Sequence, residues 1–338
     1  MSIFRWSNRV CPDLDAGFAL SLGEGDTPCL PSRTIGPSCG WSNLWFKIES
    51  GNPSGSYKDR FAALAISHMR AREEHTCLAT SSGNTGAALA AYCAAAAIRC
   101  HISVVETAPE AKLRQMRAHG AELEKVPGFG VDARTTAGVF HRLEEQAREP
   151  GYALQVSAYR WSPLGMAGVE TIAHELREEF PREPLQVVSP AGGGGLTLAL
   201  ACGFTAAGGN AAVHVAQPEG NDTIAGPLRR GEMRACPVAC RTTISGLQVA
   251  DVIDGDAVIA ACRASGGTGH SVPDEAVFAV QRRLAREEGI FTEPAGAVAL
   301  SAALQAFEHG ELDPALPTIC LVTGSGFKDE ASAARMAR

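Results

Sequence analysis

An α/β fold built on parallel sheets is what this sequence predicts, and three observations carry the prediction. From Leu44 onward, short apolar runs alternate with amphipathic stretches, the pattern of βα units whose parallel strands are covered on both faces. Apolar residues make up 45% of the chain and aromatics 6%, with 36 glycines, a composition suited to close helix–sheet packing rather than to a β-sandwich. The residues that carry chemistry fall in loops after strands, where such folds place their sites. A length of 338 residues implies two domains, or one large domain with an inserted lobe.

Taken in order, LWFKIE (44–49) reads as a strand and 59–74 as a helix, with Phe61, Leu64, Ala65 and Met69 at helical spacing. CLAT (77–80) is a strand-like run, followed by a helical Ala-rich tract from Thr85 to Ile98. A strand at 100–106 precedes a helix at 108–120 that Gly120 is placed to stop. Strands at 121–127 and 152–158 flank a helix over 132–149. The second half repeats the alternation: helix 166–180, strand 185–190, helix 196–208, strand 211–217, helices 274–289 and 295–310, and a last strand at 318–324. No internal repeat and no low-complexity linker interrupts it.

Composition also excludes function classes. The net charge is −7 and no basic run or stripe appears, so nucleic acid and anionic membrane surfaces are not expected partners. The first fifteen residues lack the apolar stretch of a signal peptide, and the tract 85–98 is too short to span a bilayer; the expectation is a cytoplasmic protein. Eleven cysteines are scattered singly, and the only close pair, Cys236 and Cys240, has no second pair to complete a metal site. Small buried hydrophobes are the expected role for them, with no metal.

Four loops stand out. Glu49 to Arg60 is crowded with turn residues and ends with Lys58 at a helix start. The positive end of the helix dipole disfavours a second positive charge and lowers the pKa of a lysine placed there. A lysine without its proton is a nucleophile able to form an imine, although a solvated surface lysine fits the same position. Thr80 to Gly86, with Ser81, Ser82, Asn84 and Thr85, gathers hydroxyls, an amide and backbone N–H groups at a helix start. That set suits a carboxylate, or serves simply as an N-cap. Ser189 to Leu196 carries the consecutive glycines Gly192, Gly193, Gly194 and Gly195. Its backbone can wrap a phosphate, yet it lacks the Lys-Ser/Thr ending of a nucleotide P-loop and the spacing of a dinucleotide fingerprint. Leu321 to Asp329 follows the last strand, and there Thr323 could bond a ligand's ring nitrogen or close a turn.

In this order the loops resemble the threonine synthase-like branch of the fold type II pyridoxal-phosphate (PLP) enzymes. The family's motifs N-P-S/T-G-S-F/Y-K-D-R, S-S/T-G-N-T and T-G-x-G-x-K-D match Asn52–Arg60, Ser81–Thr85 and Thr323–Asp329. Gly23–Pro28 is similar to its E-G-x-T-P loop and Arg286–Ala297 to its E-G-I-x-x-E-P segment, so the likeness spans roughly residues 20–330. The resemblance implies two parallel-sheet lobes with PLP in the interdomain cleft. The smaller lobe (58–151) would be inserted in a larger one (1–57 and 152–338).

It implies roles as well. Lys58 would carry the cofactor as a Schiff base and act as the base at Cα. Asn84 would bond the ring hydroxyl, Gly192 to Gly195 and Leu196 the phosphate, and Thr323 the pyridine nitrogen. Ser81, Ser82 and Thr85 would hold the substrate carboxylate. The family's N-S…N-P-x-R-x-E-G segment, which helps hold a substrate phosphate, is here Val156 to Gly165. Ser157 is retained and Arg160 could substitute for the arginine, but Tyr159 and Trp161 make a bulkier wall. Phe61 replaces the small residue common after K-D-R.

The implied activity is elimination or replacement at Cβ or Cγ of an amino acid, threonine synthase-like, on O-phosphohomoserine or another activated substrate. Serine/threonine dehydratase or β-replacement on an O-activated serine is the alternative within the cofactor class, and a catalytically silent PLP-fold binding protein the alternative outside it. Homodimerisation is expected by the same analogy.

Overall fold

Ten strands alternate with helices in the computed structural model, which describes residues 2–337 apart from 82, 107, 109, 131, 183, 250 and 251. They are β1 (Cys29–Pro31), β2 (Leu44–Ile48), β3 (Thr76–Thr80), β4 (Arg99–Val105), β5 (Glu122–Val126), β6 (Tyr152–Gln155), β7 (Leu185–Pro190), β8 (Ala211–Pro218), β9 (Gly269–Val272) and β10 (Thr318–Val322). One sheet has the order β1-β2-β10-β7-β8-β9 and the other β5-β4-β3-β6. Every strand pairing is parallel except β1 with β2. The fold class read from the sequence is therefore the one observed: α/β with two parallel-strand sheets.

Burial explains why the strands read as they did. All six residues of β7 are buried, as a strand covered on both faces must be. β5 lies at a sheet edge, where Glu122, Glu124 and Lys125 keep its polar backbone from recruiting another strand. Three elements carry no signal that stood out. β1 is a three-residue antiparallel edge strand ending in Pro31, a residue tolerated at edges because it cannot donate to a ladder. β9 (GHSV) and the helix Gly255–Ala264 both begin with glycine. The helix expected over 274–289 runs regularly over Asp274–Arg283, becomes a π turn at Leu284–Glu288 and stops at Gly289, whose φ is +72°. Gly120 ends the helix Glu110–Ala118 as expected, with φ +83°.

Packing divides the chain into two compact units, one of Met1–Gly25 with Asn52–Val169 and one of Asp26–Gly51 with Glu170–Arg338. These limits are not the 58–151 insertion expected above, because the N-terminal residues pack with the lysine helix Lys58–Ala71 and its neighbour Asn84–Ala96. The Leu20 N–H donates to Ser67 Oγ at 2.9 Å, Arg70 to the Phe18 carbonyl at 2.6 Å, and Tyr92 Oη to Glu24 at 2.6 Å. Within the same unit the helix starting at Pro163 crosses the lysine helix so closely that a Cβ at Gly168 would lie 2.2 Å from the Arg60 carbonyl oxygen.

The core of the other unit is organised by the helix Pro294–Glu308, buried along most of its length, as an all-round apolar helix must be. Trp41 stacks on Phe307 beside it, ring centroids 4.3 Å apart. Among the described residues no helix is long and apolar enough to cross a membrane.

Candidate active site

In the first unit the site residues gather at the carboxyl ends of two adjacent strands. β3 and β6 pair in parallel from Thr76 with Tyr152 to Ala79 with Gln155, so the loops that leave them, at Ser81 and Ser157, start side by side. Lys58 is the first residue of its helix, and its Nζ donates to Ser157 Oγ at 2.6 Å and lies 4.5 Å from the centre of the Tyr57 ring. The turn before it is braced by Asp59, a fully buried carboxylate that accepts from the Ser54 N–H at 3.1 Å and from Ser54 Oγ at 2.8 Å. These bonds fix where the lysine leaves the backbone.

Ser81 closes its own loop, its Oγ accepting from the N–H groups of Gly83 at 3.2 Å and Gly86 at 2.9 Å. Asn84 and Thr85 are the first two residues of the following helix, and both are half-buried. Ser82 lies outside the described residues. A residue without any local sequence signal joins the loop: Lys112, 4% exposed, brings its Nζ to 3.9 Å from where a Cβ of Gly83 would stand.

Phe61 and Arg160, at two departures from the family pattern, have the following settings. Phe61 is fully buried, its ring filling the space beside Gly165, where a Cβ would be 2.7 Å away. Its bulk is thus absorbed by packing against a glycine. Arg160 is exposed, its guanidinium over the Trp161 ring at 5.0 Å. Trp161 in turn stacks on Phe140, centroids 4.9 Å apart, and donates to Glu144 at 3.2 Å. Counting the family motif back from Gly165 puts its arginine position at Ser162, a buried residue whose Oγ accepts from the Val156 N–H at 3.0 Å.

In the second unit, β7 and β10 pair in parallel, and the glycine loop and Thr323 follow their carboxyl ends. Gly194 precedes the helix Gly195–Ala206 with φ +96°, a conformation that side chains rarely adopt. A Cβ there would meet Val258 Cγ2 at 2.7 Å, and one at Gly193 would meet Ile253 at 3.1 Å. Apolar side chains therefore back the loop, and its N–H groups are its functional face. Among the described residues none accepts a hydrogen bond from the N–H of Gly193, Gly194, Gly195 or Leu196, which at the positive end of a helix is a donor set for a phosphate.

Gln217 pins the loop from behind. Its amide nitrogen donates to the carbonyls of Ala191 and Gly192 at 3.3 and 3.4 Å, and its oxygen accepts from the N–H groups of Ile224 and Ala225 at 2.7 and 2.9 Å. The sequence signal for it was only a polar residue near the end of an apolar strand. Thr323 is 4% exposed, in a stretch held by Thr292, whose Oγ1 donates to the Gly324 carbonyl at 2.6 Å. In the first unit a lysine at a helix start suits an aldehyde; in the second, taken by itself, a glycine cradle at a helix start suits a phosphate and a buried hydroxyl after a strand suits a ring nitrogen.

Comparison with known proteins agrees with that fit. Threonine synthase of Methanocaldococcus jannaschii is 28% identical over 333 residues, 96% of this chain and 80% of that one. Among solved structures, threonine deaminase isoform 2 from Solanum lycopersicum superposes with a TM-score of 0.79 at 19% identity, over 99% of this chain and 92% of that one. Maize serine racemase superposes at 0.78 and 23%, over 99% and 95%; at these identities the two share a fold and no more. Residues 20–324 match the family described as pyridoxal-phosphate dependent enzyme. This chain belongs to that family, and its cofactor is pyridoxal phosphate.

Proposed function

We propose that this chain is a lyase or synthase of the threonine synthase kind, acting at Cβ or Cγ of an amino-acid substrate: a leaving group such as phosphate departs, and water or another nucleophile adds. The observation that carries the reading is Lys58, at a helix start and 2.6 Å from Ser157 Oγ, beside the Ser81–Thr85 loop in the same unit. The bound cofactor supplies an electron sink for the bonds at Cα. Lys58 takes the proton from Cα and returns it at the neighbouring carbon. Ser157 accepts from Nζ and aims it. Ser81, Ser82 and Thr85 bind the substrate carboxylate, and the Asn84 amide bonds the ring hydroxyl. N–H groups of Gly192 to Leu196 hold the phosphate at the helix's positive end. The neutral Thr323 hydroxyl bonds the ring nitrogen without fixing a proton on it, which limits how strong the sink becomes.

One observation favours a second reading, a serine/threonine dehydratase or a β-replacement synthase on an O-activated serine. The family's phosphate-binding arginine position is here the buried Ser162, and Arg160 is stacked on Trp161.

The test is to mix PLP-loaded enzyme with O-phosphohomoserine and to assay phosphate and threonine, with Lys58→Ala as control. Threonine and phosphate together, lost in the control, establish the first reading. No turnover while the visible absorbance of bound cofactor is present retires that substrate, and release of ammonia and a 2-oxo acid from serine or threonine then supports the second. Absence of the absorbance overturns both and points to a silent binding protein. A cytoplasmic homodimer belongs to the same proposal, and a sedimentation mass of one chain would count against it.

A further inference from the structure

Three cysteines that are far apart in sequence meet in the first unit. Cys77 lies on β3, Cys100 on β4 directly opposite it in the parallel ladder, and Cys93 on the helix Asn84–Ala96. All three are buried, none is in a disulfide, and their Sγ atoms lie within 4.8 Å of one another. Among the described residues no histidine or carboxylate joins the group. We propose that Cys77, Cys93 and Cys100 form a binding site for a soft monovalent metal ion, Cu(I), held by three sulfurs.

Geometry and ligand type choose the ion. A metal with sulfur bonds of about 2.3 Å at the centre of three sulfurs sets them about 4 Å apart, inside the 4.8 Å within which all three lie. Three sulfurs without nitrogen or oxygen select a soft ion. Zn²⁺ takes four ligands in structural sites, and the group supplies three. The thiolate is the ligand form, so the thiols release their protons to solvent as the metal binds. No oxidant or reductant is required, because copper enters as Cu(I) and stays so.

The position gives the site a structural consequence. Cys77 is four residues before Ser81 on β3, and Cys93 is on the helix that Asn84 begins. The metal therefore ties together the two arms that carry the Ser81–Thr85 loop. An ion bound only to the folded chain stabilises it by mass action.

The experiment is an anaerobic titration of the PLP-loaded enzyme with Cu(I) buffered by a chromophoric chelator, with Zn²⁺ in parallel. Two variants accompany it: Cys93→Ala, which sits in an alanine run and leaves the helix intact, and Cys236→Ser/Cys240→Ser, which removes the more accessible pair. One Cu(I) per chain is expected, with a rise in the unfolding midpoint of about 5 °C or more. The Cys93→Ala variant should lose at least about tenfold in affinity and keep its far-ultraviolet circular dichroism. The Cys236→Ser/Cys240→Ser variant should bind as the parent does. Binding lost with Cys236 and Cys240 but unchanged in Cys93→Ala overturns the assignment, as does no Cu(I) binding by the parent or tighter retention of Zn²⁺ than of Cu(I). None of these readouts depends on which substrate the enzyme turns over.

Discussion

The unit that carries Lys58 and the unit that carries the glycine loop hold their functional groups by different means. Around Lys58 the fixing contacts are polar: Asp59 with Ser54, Ser81 with its own loop, Lys58 with Ser157. Around Gly192 to Gly195 they are steric, with Ile253 and Val258 pressed against the backbone and Gln217 clamping the carbonyls behind. A side chain that must move protons needs a partner that redirects it, whereas a phosphate cradle needs a backbone that does not move. The difference teaches that a hydroxyl can be removed from the first site with the fold intact, while a methyl group cannot be added to the second.

The largest break in that comparison should come from Gly194→Ala. A side chain at φ +96° costs about 1–3 kcal/mol, and its methyl must also displace Val258. The expected loss is about 2–4 kcal/mol of stability, with cofactor affinity lowered by about tenfold or more as first-turn N–H groups are displaced. Urea unfolding and titration with PLP measure the two. Unchanged cofactor affinity would mean that the loop does not bind the phosphate.

Acid should separate the units next. His214 on β8 and His270 on β9 lie 3.0 Å apart, and burial holds their pKa values down to about 3 and about 4. Unfolding returns both to the usual range near 6.5, so below that pH the unfolded chain binds more protons than the folded one. The stability carried by the neutral rings is complete above about pH 6.5 and is lost as pH falls towards 4, at up to about 1.4 kcal/mol per pH unit for each ring. Hydrogen exchange at decreasing pH should show protection lost first in β8 and β9. Earlier loss in β3 to β6 would remove the histidine pair as the cause.

The smallest change in stability, and a sharper test of the lysine side, is Ser157→Ala. Ser157 is half-buried, so stability should fall by less than about 1 kcal/mol. Turnover should fall by about tenfold or more through loss of the hydrogen bond that aims Nζ, with cofactor still bound. Equal turnover in parent and variant would reduce the 2.6 Å contact to packing.

Much of this site was legible because its loops are local. Lys58 at a helix start, the Ser81–Thr85 cap and the four glycines each depend on turn residues a few positions apart, and helix starts announce themselves in such residues. Lys112 and Gln217 were not legible, because neither position differs in local pattern from an ordinary helix or strand residue. The setting of Phe61 was not legible for a related reason: its ring packs beside Gly165, which comes from another helix. The cysteines repeat the lesson, since Cys236 and Cys240 are close in sequence while Cys77, Cys93 and Cys100 are close in space.

By itself the sequence determined the alternation of strand and helix, the parallel sheets that follow from it, and the order of the functional loops. Those features rest on side-chain periodicity and backbone preference, which act over a few residues. Only the tertiary structure decided that residues 1–25 pack with the lysine unit, that β1 closes its sheet edge antiparallel, that Ser157 receives the Lys58 hydrogen bond from 99 positions away, and that three thiols converge. Each is a contact between distant segments, set by which buried surfaces fit together, and periodicity along the chain carries no record of it.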